Sequence, residues 1–226
     1  MELELPPPDV LLARIALADV MFCATVGVAF EAEAVSRVDG GRLTVEDGAG
    51  NWLSVVRYPG GRALLYGGDE SSEVWERDAP YDPLADAPDW VRCAELTTAH
   101  PWLDDDPVGF VRWWEEGIWR RTPIDLDDGL FCGIRSYADA EEFASKFKGQ
   151  AVDASWLTFD YESQQFRSGS VELAAFEALC AAAGRGAVGR EQLDLLPAAI
   201  RDAAGEHLWR AGVIVGAPKV TEPLAQ

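Results

Sequence analysis

The chain has 226 residues, 39 of them acidic and 19 basic, which gives a formal net charge of −20 at pH 7. A charge of that sign repels phosphate groups, so it argues against binding to DNA or RNA and against anionic membrane surfaces. Hydrophobic residues make up 48% of the sequence, with nine tryptophans among them, and this is enough apolar material for a folded core. The composition therefore indicates a folded acidic protein and favours a basic protein as its partner.

The first residues, MELELPPPD, are acidic, whereas a secretory signal peptide begins with a basic region. The apolar run over 10–30 contains Arg14 and Asp19, so it does not qualify as a membrane span. The cysteines are scattered and form no C-x-x-C pair that would indicate zinc. They are Cys23, Cys93, Cys132 and Cys180. We therefore expect a cytoplasmic protein with free thiols, no metal and no cofactor.

The first half of the chain predicts one helix followed by a β-meander. Residues 10–24 are rich in Ala and Leu and predict a mostly buried helix, with Asp9 as its N-cap. Over 28–75 the pattern changes to short β-rich runs at 43–45, 52–58 and 63–66, separated by pairs of glycines. Glycine-punctuated runs of this kind predict antiparallel hairpins with three or four strands.

The stretch FVRWWEEGIWRR at 110–121 contains three tryptophans and is predicted to belong to a second helix over 107–121. In a helical register Trp113 and Trp114 lie on one apolar stripe, which would anchor the helix on the sheet. Trp119 lies on the opposite, charged face beside Arg120. Two states are open for Trp119: the Asp- and Pro-rich segment 78–107 folds over it, or it is exposed as an interface hot spot.

After this helix the sequence predicts a loop over 122–130, a strand over 131–136, a short helix over 137–148 and a strand over 154–166. The final part predicts helices over 170–183, 189–196 and 197–211 and a short strand over 212–216.

The order of these last elements resembles that of a winged-helix unit, and a plain helical cap on the core explains it equally well. A winged-helix unit that reads DNA would carry a basic third helix. Here the exposed charges of that helix, on Arg201, Asp202, Glu206 and Arg210, cancel. The fold class is thus predicted as α+β: an antiparallel meander packed by helices in a core domain over 1–166, with a helical C-terminal unit over 167–226.

Catalytic signatures are weak. The only histidines are His100 and His207, and neither is accompanied by a G-x-S-x-G motif. Cys132 and His100 both flank the predicted middle helix and form one alternative catalytic arrangement. Acidic pairs at 104–106 and 125–128 form another, since two carboxylates across a sugar cleft hydrolyse glycosides. An enzyme with carboxylate or thiol chemistry, for example a carbohydrate-active one, is therefore an alternative function, and an accessory subunit of a larger assembly is a third.

The function that the sequence favours is non-enzymatic binding of a basic protein through an acidic surface. Its sharpest form is an inhibitor or immunity-type partner of a basic toxin or nuclease, because an acidic surface can occupy a phosphate-binding cleft. The residues assigned to partner contact are Trp119, Arg120, Asp104, Asp105, Asp127 and Asp128.

Overall fold

A computed structural model describes residues 4–26, 36–39, 41–46, 50–74, 81–92, 94, 96, 108–152, 158–160, 165–167, 171–196, 198–216, 219 and 221. The described elements, in chain order, are α1 (Pro8–Val26), β1 (Ser36–Asp39), β2 (Arg42–Glu46), β3 (Trp52–Tyr58), β4 (Arg62–Gly68), α2 (Asp89–Arg92), β5 (Phe110–Glu115), β6 (Ile118–Arg120), α3 (Leu130–Ala138), α4 (Ala140–Ala151), β7 (Thr158–Asp160), β8 (Gln165–Arg167), α5 (Leu173–Ala183), α6 (Arg190–Leu193) and α7 (Ala198–Arg210). The α+β fold class is therefore confirmed.

Strands β1 to β6 form one antiparallel sheet whose spatial order equals the order in the chain. The meander predicted over 28–75 is confirmed as β1 to β4, and it continues into β5 and β6. Strands β7 and β8 pair separately, where the sequence predicted a single strand over 154–166. In this order β1 and β6 are the outer strands of the larger sheet.

Both faces of the sheet are covered, and this explains why every side chain of β3 is buried. One face packs on a cluster built from α1 and α3 to α7, to which the sheet contributes side chains such as Val55, Leu65 and Phe110. The other face carries a second cluster that includes Trp52, Tyr66 and Trp113 and is covered by the 84–96 segment. Alternate residues of each strand therefore serve two separate cores.

Helix α1 is the centre of the first cluster. Residues 11–21 are all buried, as expected for a helix that is apolar on every side. Arg14 is a charged exception to this apolar pattern, and it is hydrogen-bonded. It donates to the carbonyl oxygens of Tyr137, at 2.8 Å, and of Ala138, where α3 ends. Burial lowers the pKa of Arg14, and these carbonyls at a helix C-terminus stabilise its charge. Asp9 lies in the first turn of α1 rather than before it.

Residues 110–120 form a β-hairpin, so the predicted helix over 107–121 is wrong. Strand β5 pairs with β6 in a register that places Trp114 opposite Trp119. The two turn residues, Glu116 and Gly117, have φ angles of 55° and 84°. Positive φ at both central positions defines the type I′ turn, whose twist matches that of the flanking strands.

The physical reason for this error is that the aromatic spacing fits two periods. Trp113 and Trp114 share a helical stripe, but as neighbours in a strand they face opposite sides of the sheet. Trp113 packs in the cluster that holds Tyr66, whereas Trp114 faces the α1 side with Trp119. Aromatic and β-branched residues on both sides of Glu-Gly favour strands, and the two covered faces of the sheet bury Val111 and Trp113 fully and Trp114 and Trp119 in part.

Two other predictions also change. The expected strand over 131–136 lies inside α3, and the expected strand over 212–216 is reduced to one parallel bridge between Val188 and Ile214. The predicted C-terminal helices are confirmed as α5, α6 and α7, but the winged-helix arrangement is not confirmed. Helices α5 and α7 pack against α1. The division into domains near residue 166 stays a prediction.

Within the described ranges no helix is long and apolar enough to cross a membrane.

Candidate partner-binding surfaces

The residues assigned to partner contact fall into two groups. Trp119 and Arg120 lie on β6, an outer strand, and Asp127 and Asp128 lie on the loop that follows it. Asp104 and Asp105 lie outside the described residues. The structure therefore describes four of the six assigned residues, on the outer strand β6 and on the loop that follows it.

Three loops meet where β4 ends and β5 begins: 69–74, 81–89 and 122–128. The backbone N–H of Asp127 donates to Glu73 Oε2 at 2.9 Å, which joins the first loop to the third. The Thr122 hydroxyl donates to the carbonyl oxygen of Pro83 at 2.8 Å and accepts from the N–H of Asp86 at 3.3 Å, which joins the second to the third. These hydrogen bonds hold the three loops as one surface.

This surface is strongly acidic. Each loop has three Asp or Glu residues and no Lys or Arg of its own, which gives nine carboxylates in total. A cation held against these loops at the surface is Arg92, which donates to the carbonyl oxygens of Ala85 and Ala87. Seven of the nine are exposed. We call them the acidic loop face: Glu70, Glu73, Asp82, Asp86, Asp89, Asp125 and Asp127. In sequence only the separate loops are visible, because their convergence depends on the order of β4, β5 and β6.

The other two carboxylates of these loops, Asp69 and Asp128, are buried. Asp128 Oδ2 accepts a hydrogen bond from Arg112 Nη2 at 2.6 Å, and each side chain is only 7% exposed. The other oxygen of Asp128 accepts from the N–H of Leu130 at 3.3 Å, at the start of α3. Asp128 therefore fixes β5 to α3 and lies beneath the acidic loop face, not on it.

The second surface is a groove beside β6 with a volume of about 690 Å³. One side is formed by residues 4, 5 and 7, and the other by Arg112, Trp114 and residues 117–121. We call it the arginine–tryptophan groove. Its lining holds Arg112, Arg120 and Arg121 and one acidic residue, Glu4, and the charge of Arg112 is already paired with Asp128.

Trp119 is half-buried, and its cover comes from the segment before α1. Its indole Nε1 donates to the carbonyl oxygen of Pro6 at 2.7 Å. The rings of Trp114 and Trp119 meet edge to face, with centroids 5.5 Å apart, a favoured geometry for aromatic pairs. This pair supports the apolar part of the groove.

The groove's arginines differ in how firmly they are held. Arg112 is buried in its pair with Asp128. Arg120 contacts Glu116 at 3.2 Å, with the two side chains 45% and 79% exposed. Exposed pairs of this kind contribute about 0–1 kcal/mol, so Arg120 can exchange Glu116 for another carboxylate at little cost.

Most of the groups that sequence reasoning considered for catalysis, including the acidic run at 104–106, lie outside the described residues. His100 and the Cys132 side chain lie outside them. His207 Nε2 lies 3.5 Å from Asp19 Oδ2, between α7 and α1, where both side chains are largely buried. No group of three His, Cys, Asp or Glu residues with the geometry to hold a metal ion occurs in the described part of the chain.

Cys180 provides a pH-dependent test of the packing around α5. Burial raises the pKa of its thiol to about 11. Only the thiolate is alkylated, so the iodoacetamide reaction at Cys180 should accelerate about tenfold for each pH unit between about 8 and 10. Site-resolved mass spectrometry of timed samples measures this rate. If the rate instead levels off near the ordinary thiol pKa of about 8.5, the burial of Cys180 would be contradicted.

Compared with protein-family models, curated proteins and solved structures, the chain matches none. Its function is therefore inferred from the residues and geometry of these two surfaces.

Proposed function

We propose that this protein is a non-enzymatic binding protein that presents the acidic loop face to a basic protein partner. The observation that carries the proposal is the convergence of three hydrogen-bonded loops that contribute nine carboxylates and no Lys or Arg of their own. Opposite charges steer two proteins together and discriminate against partners of the wrong sign. A local surface of one sign does this more selectively than net charge alone.

The hydrogen bonds between the loops support a binding role. A surface that is already fixed loses less conformational entropy when a partner docks. Gly129 shows how closely the loops are packed: its φ is +84°, and a Cβ there would lie 2.4 Å from the Cβ of Asp69. The face is thus held by contacts beneath it as well as by hydrogen bonds between its loops.

Exposure of the carboxylates favours binding over carboxylate catalysis. Catalytic acids need environments that shift their pKa values, usually through burial in a cleft. The seven carboxylates of the acidic loop face are exposed. Of the two buried ones, Asp128 is neutralised by Arg112, and Asp69 accepts hydrogen bonds from the N–H and the hydroxyl of Ser71. An inhibitor of a basic toxin or nuclease is the specific form we propose, since such a face matches a cleft that binds phosphate groups.

The proposal is tested with two triple variants that remove the same number of negative charges. The first, Glu70→Gln/Asp86→Asn/Asp125→Asn, neutralises one exposed carboxylate in each loop. The second, Glu172→Gln/Glu177→Gln/Asp202→Asn, neutralises exposed carboxylates on or beside α5 and α7. Each immobilised protein captures partners from lysate of the native host at about 50 and about 300 mM salt, between which the screening length falls from about 14 to about 6 Å.

We expect basic proteins to be captured by the wild type and by the second triple, and to be lost with the first triple and at high salt. For the purified partner, the first triple should weaken binding at least about tenfold, mainly through slower association. Equal capture by both triples, or a captured set without basic proteins, would refute the acidic loop face as the binding surface.

A further inference from the structure

We propose that the arginine–tryptophan groove is a second binding site, and that it takes an extended acidic segment of a partner protein along the outer edge of β6. This site differs from the acidic loop face in location and in the charge that it selects. The proposal therefore stands independently of the proposed function.

The first argument is the free edge of β6. This strand is last in the sheet order, so no strand among the described residues pairs with its outer side. In a two-residue hairpin the residues that flank the turn, Glu115 and Ile118, exchange backbone hydrogen bonds. The next residue, Trp119, therefore directs its N–H and C=O outward, and an added strand can pair with them.

The groove lies along this edge. Gly117 has no side chain, so its place in the lining shows that backbone atoms border the groove. Residues 4, 5 and 7 form the facing wall, and the groove between the two walls has a volume of about 690 Å³. An extended segment needs such a channel, because it presents backbone groups to the strand and side chains to both sides.

The second argument is charge. Arg120 lines the groove, and its contact with exposed Glu116 is weak, whereas Glu4 is the acidic residue of the lining. A guanidinium binds a carboxylate through two parallel hydrogen bonds, which gives these pairs geometric specificity. The net charge of −20 opposes an acidic segment at long range, but salt screens that field beyond about 8 Å. Contacts within the groove therefore decide the preference.

The third argument is exposed apolar surface beside these charges. Ile118 is 49% exposed, and it is the one large hydrophobic residue of the described sheet that is this accessible. The half-buried Trp114 and Trp119 rings lie in the same groove. Aromatic residues next to arginines are typical of interface hot spots. A partner segment that fits the arginine–tryptophan groove therefore carries carboxylates together with apolar side chains.

The experiment is a selection of random peptides of about twelve residues displayed on phage, a length that spans about 40 Å when extended. Selection uses the intact wild-type protein. The recovered peptides are synthesised, and their affinities are measured for the wild type, for Arg120→Glu and for Arg185→Glu. Arg185 is an exposed arginine in the turn after α5 and serves as the matched control. Thermal melts establish that both variants are folded.

We expect peptides rich in Asp, Glu and β-forming residues that bind Arg120→Glu about tenfold or more weakly than they bind the wild type and Arg185→Glu. Ile118→Asp should weaken the same peptides, whereas the triple variant of the acidic loop face should not. Failure to recover such peptides, or equal loss with Arg185→Glu, would overturn the groove as a site. If the recovered peptides are instead basic, and only the triple variant of the acidic loop face loses their binding, the proposed function would be supported and this inference rejected.

Discussion

Replacing Asp128 with alanine is expected to lower the free energy of unfolding by about 3–5 kcal/mol, because it leaves the charge of Arg112 buried without its partner. The two side chains are each 7% exposed and lie 2.6 Å apart, so little water can take over the role of the carboxylate. Urea titration followed by tryptophan fluorescence measures the change. The matched control is Asp125→Ala, an exposed acid of the same loop, which should stay within about 0.5 kcal/mol of wild type.

The double variant Arg112→Met/Asp128→Leu separates an unpaired charge from a lost contact. Because it removes both charges and keeps apolar volume, it should be less destabilised than either Asp128→Ala or Arg112→Ala. Should Asp128→Ala prove no more harmful than Asp125→Ala, the pair would not be buried as the structure shows it.

The second large effect is expected at Trp113. Trp113→Ala should cost about 3–5 kcal/mol, since the side chain is 4% exposed and packs in the cluster on the face away from α1. Folded domains have only about 5–15 kcal/mol in total, so this variant should melt at a much lower temperature or fail to accumulate in soluble form. Differential scanning calorimetry measures the change, and Trp113→Phe serves as a milder variant if alanine prevents purification.

Trp114 and Trp119 provide the comparison for Trp113. Both are half-buried, and their rings form a cross-strand pair, so single alanine variants should cost less than Trp113→Ala. A double-mutant cycle should give a coupling of about 0.5–1.5 kcal/mol, the value for aromatic pairs. The absence of coupling would contradict the hairpin register, because on a helix these two residues would lie too far apart to touch.

Local patterns were enough to predict the elements whose length or flanking glycines fit only one type of secondary structure. Helix α1 follows from an apolar run too long for a strand, and β2 to β4 follow from short runs between glycine pairs. The start of α3 was missed because the short run at 131–136 was interpreted as a strand, although short apolar runs do not distinguish strand from helix. The Asp-Asp-Gly before it, with Asp128 accepting from the N–H of Leu130, is the helix-start signal.

The candidate surfaces were less predictable, since they depend on contacts between distant residues. Nothing in the sequence pairs Arg112 with Asp128, and an acidic residue on a loop is normally expected at the surface. Trp119 was recognised as unusual, but its contact with Pro6 joins residues 113 positions apart. The excess of aspartates was visible, whereas the meeting of three loops follows only from the hairpin of β5 and β6.

The packing of α1 also has a consequence for how the chain folds during synthesis. This apolar helix is synthesised before its partners, since its contacts include α4, α5 and α7, and Arg57 of β3 donates to the carbonyl oxygens of Ala211 and Gly212. Such partners reach a nascent chain only late in translation. Contacts between residues this far apart slow folding and leave apolar surface exposed meanwhile. The first helix therefore needs protection from aggregation, by a chaperone or by transient local contacts, until the final helix has left the ribosome.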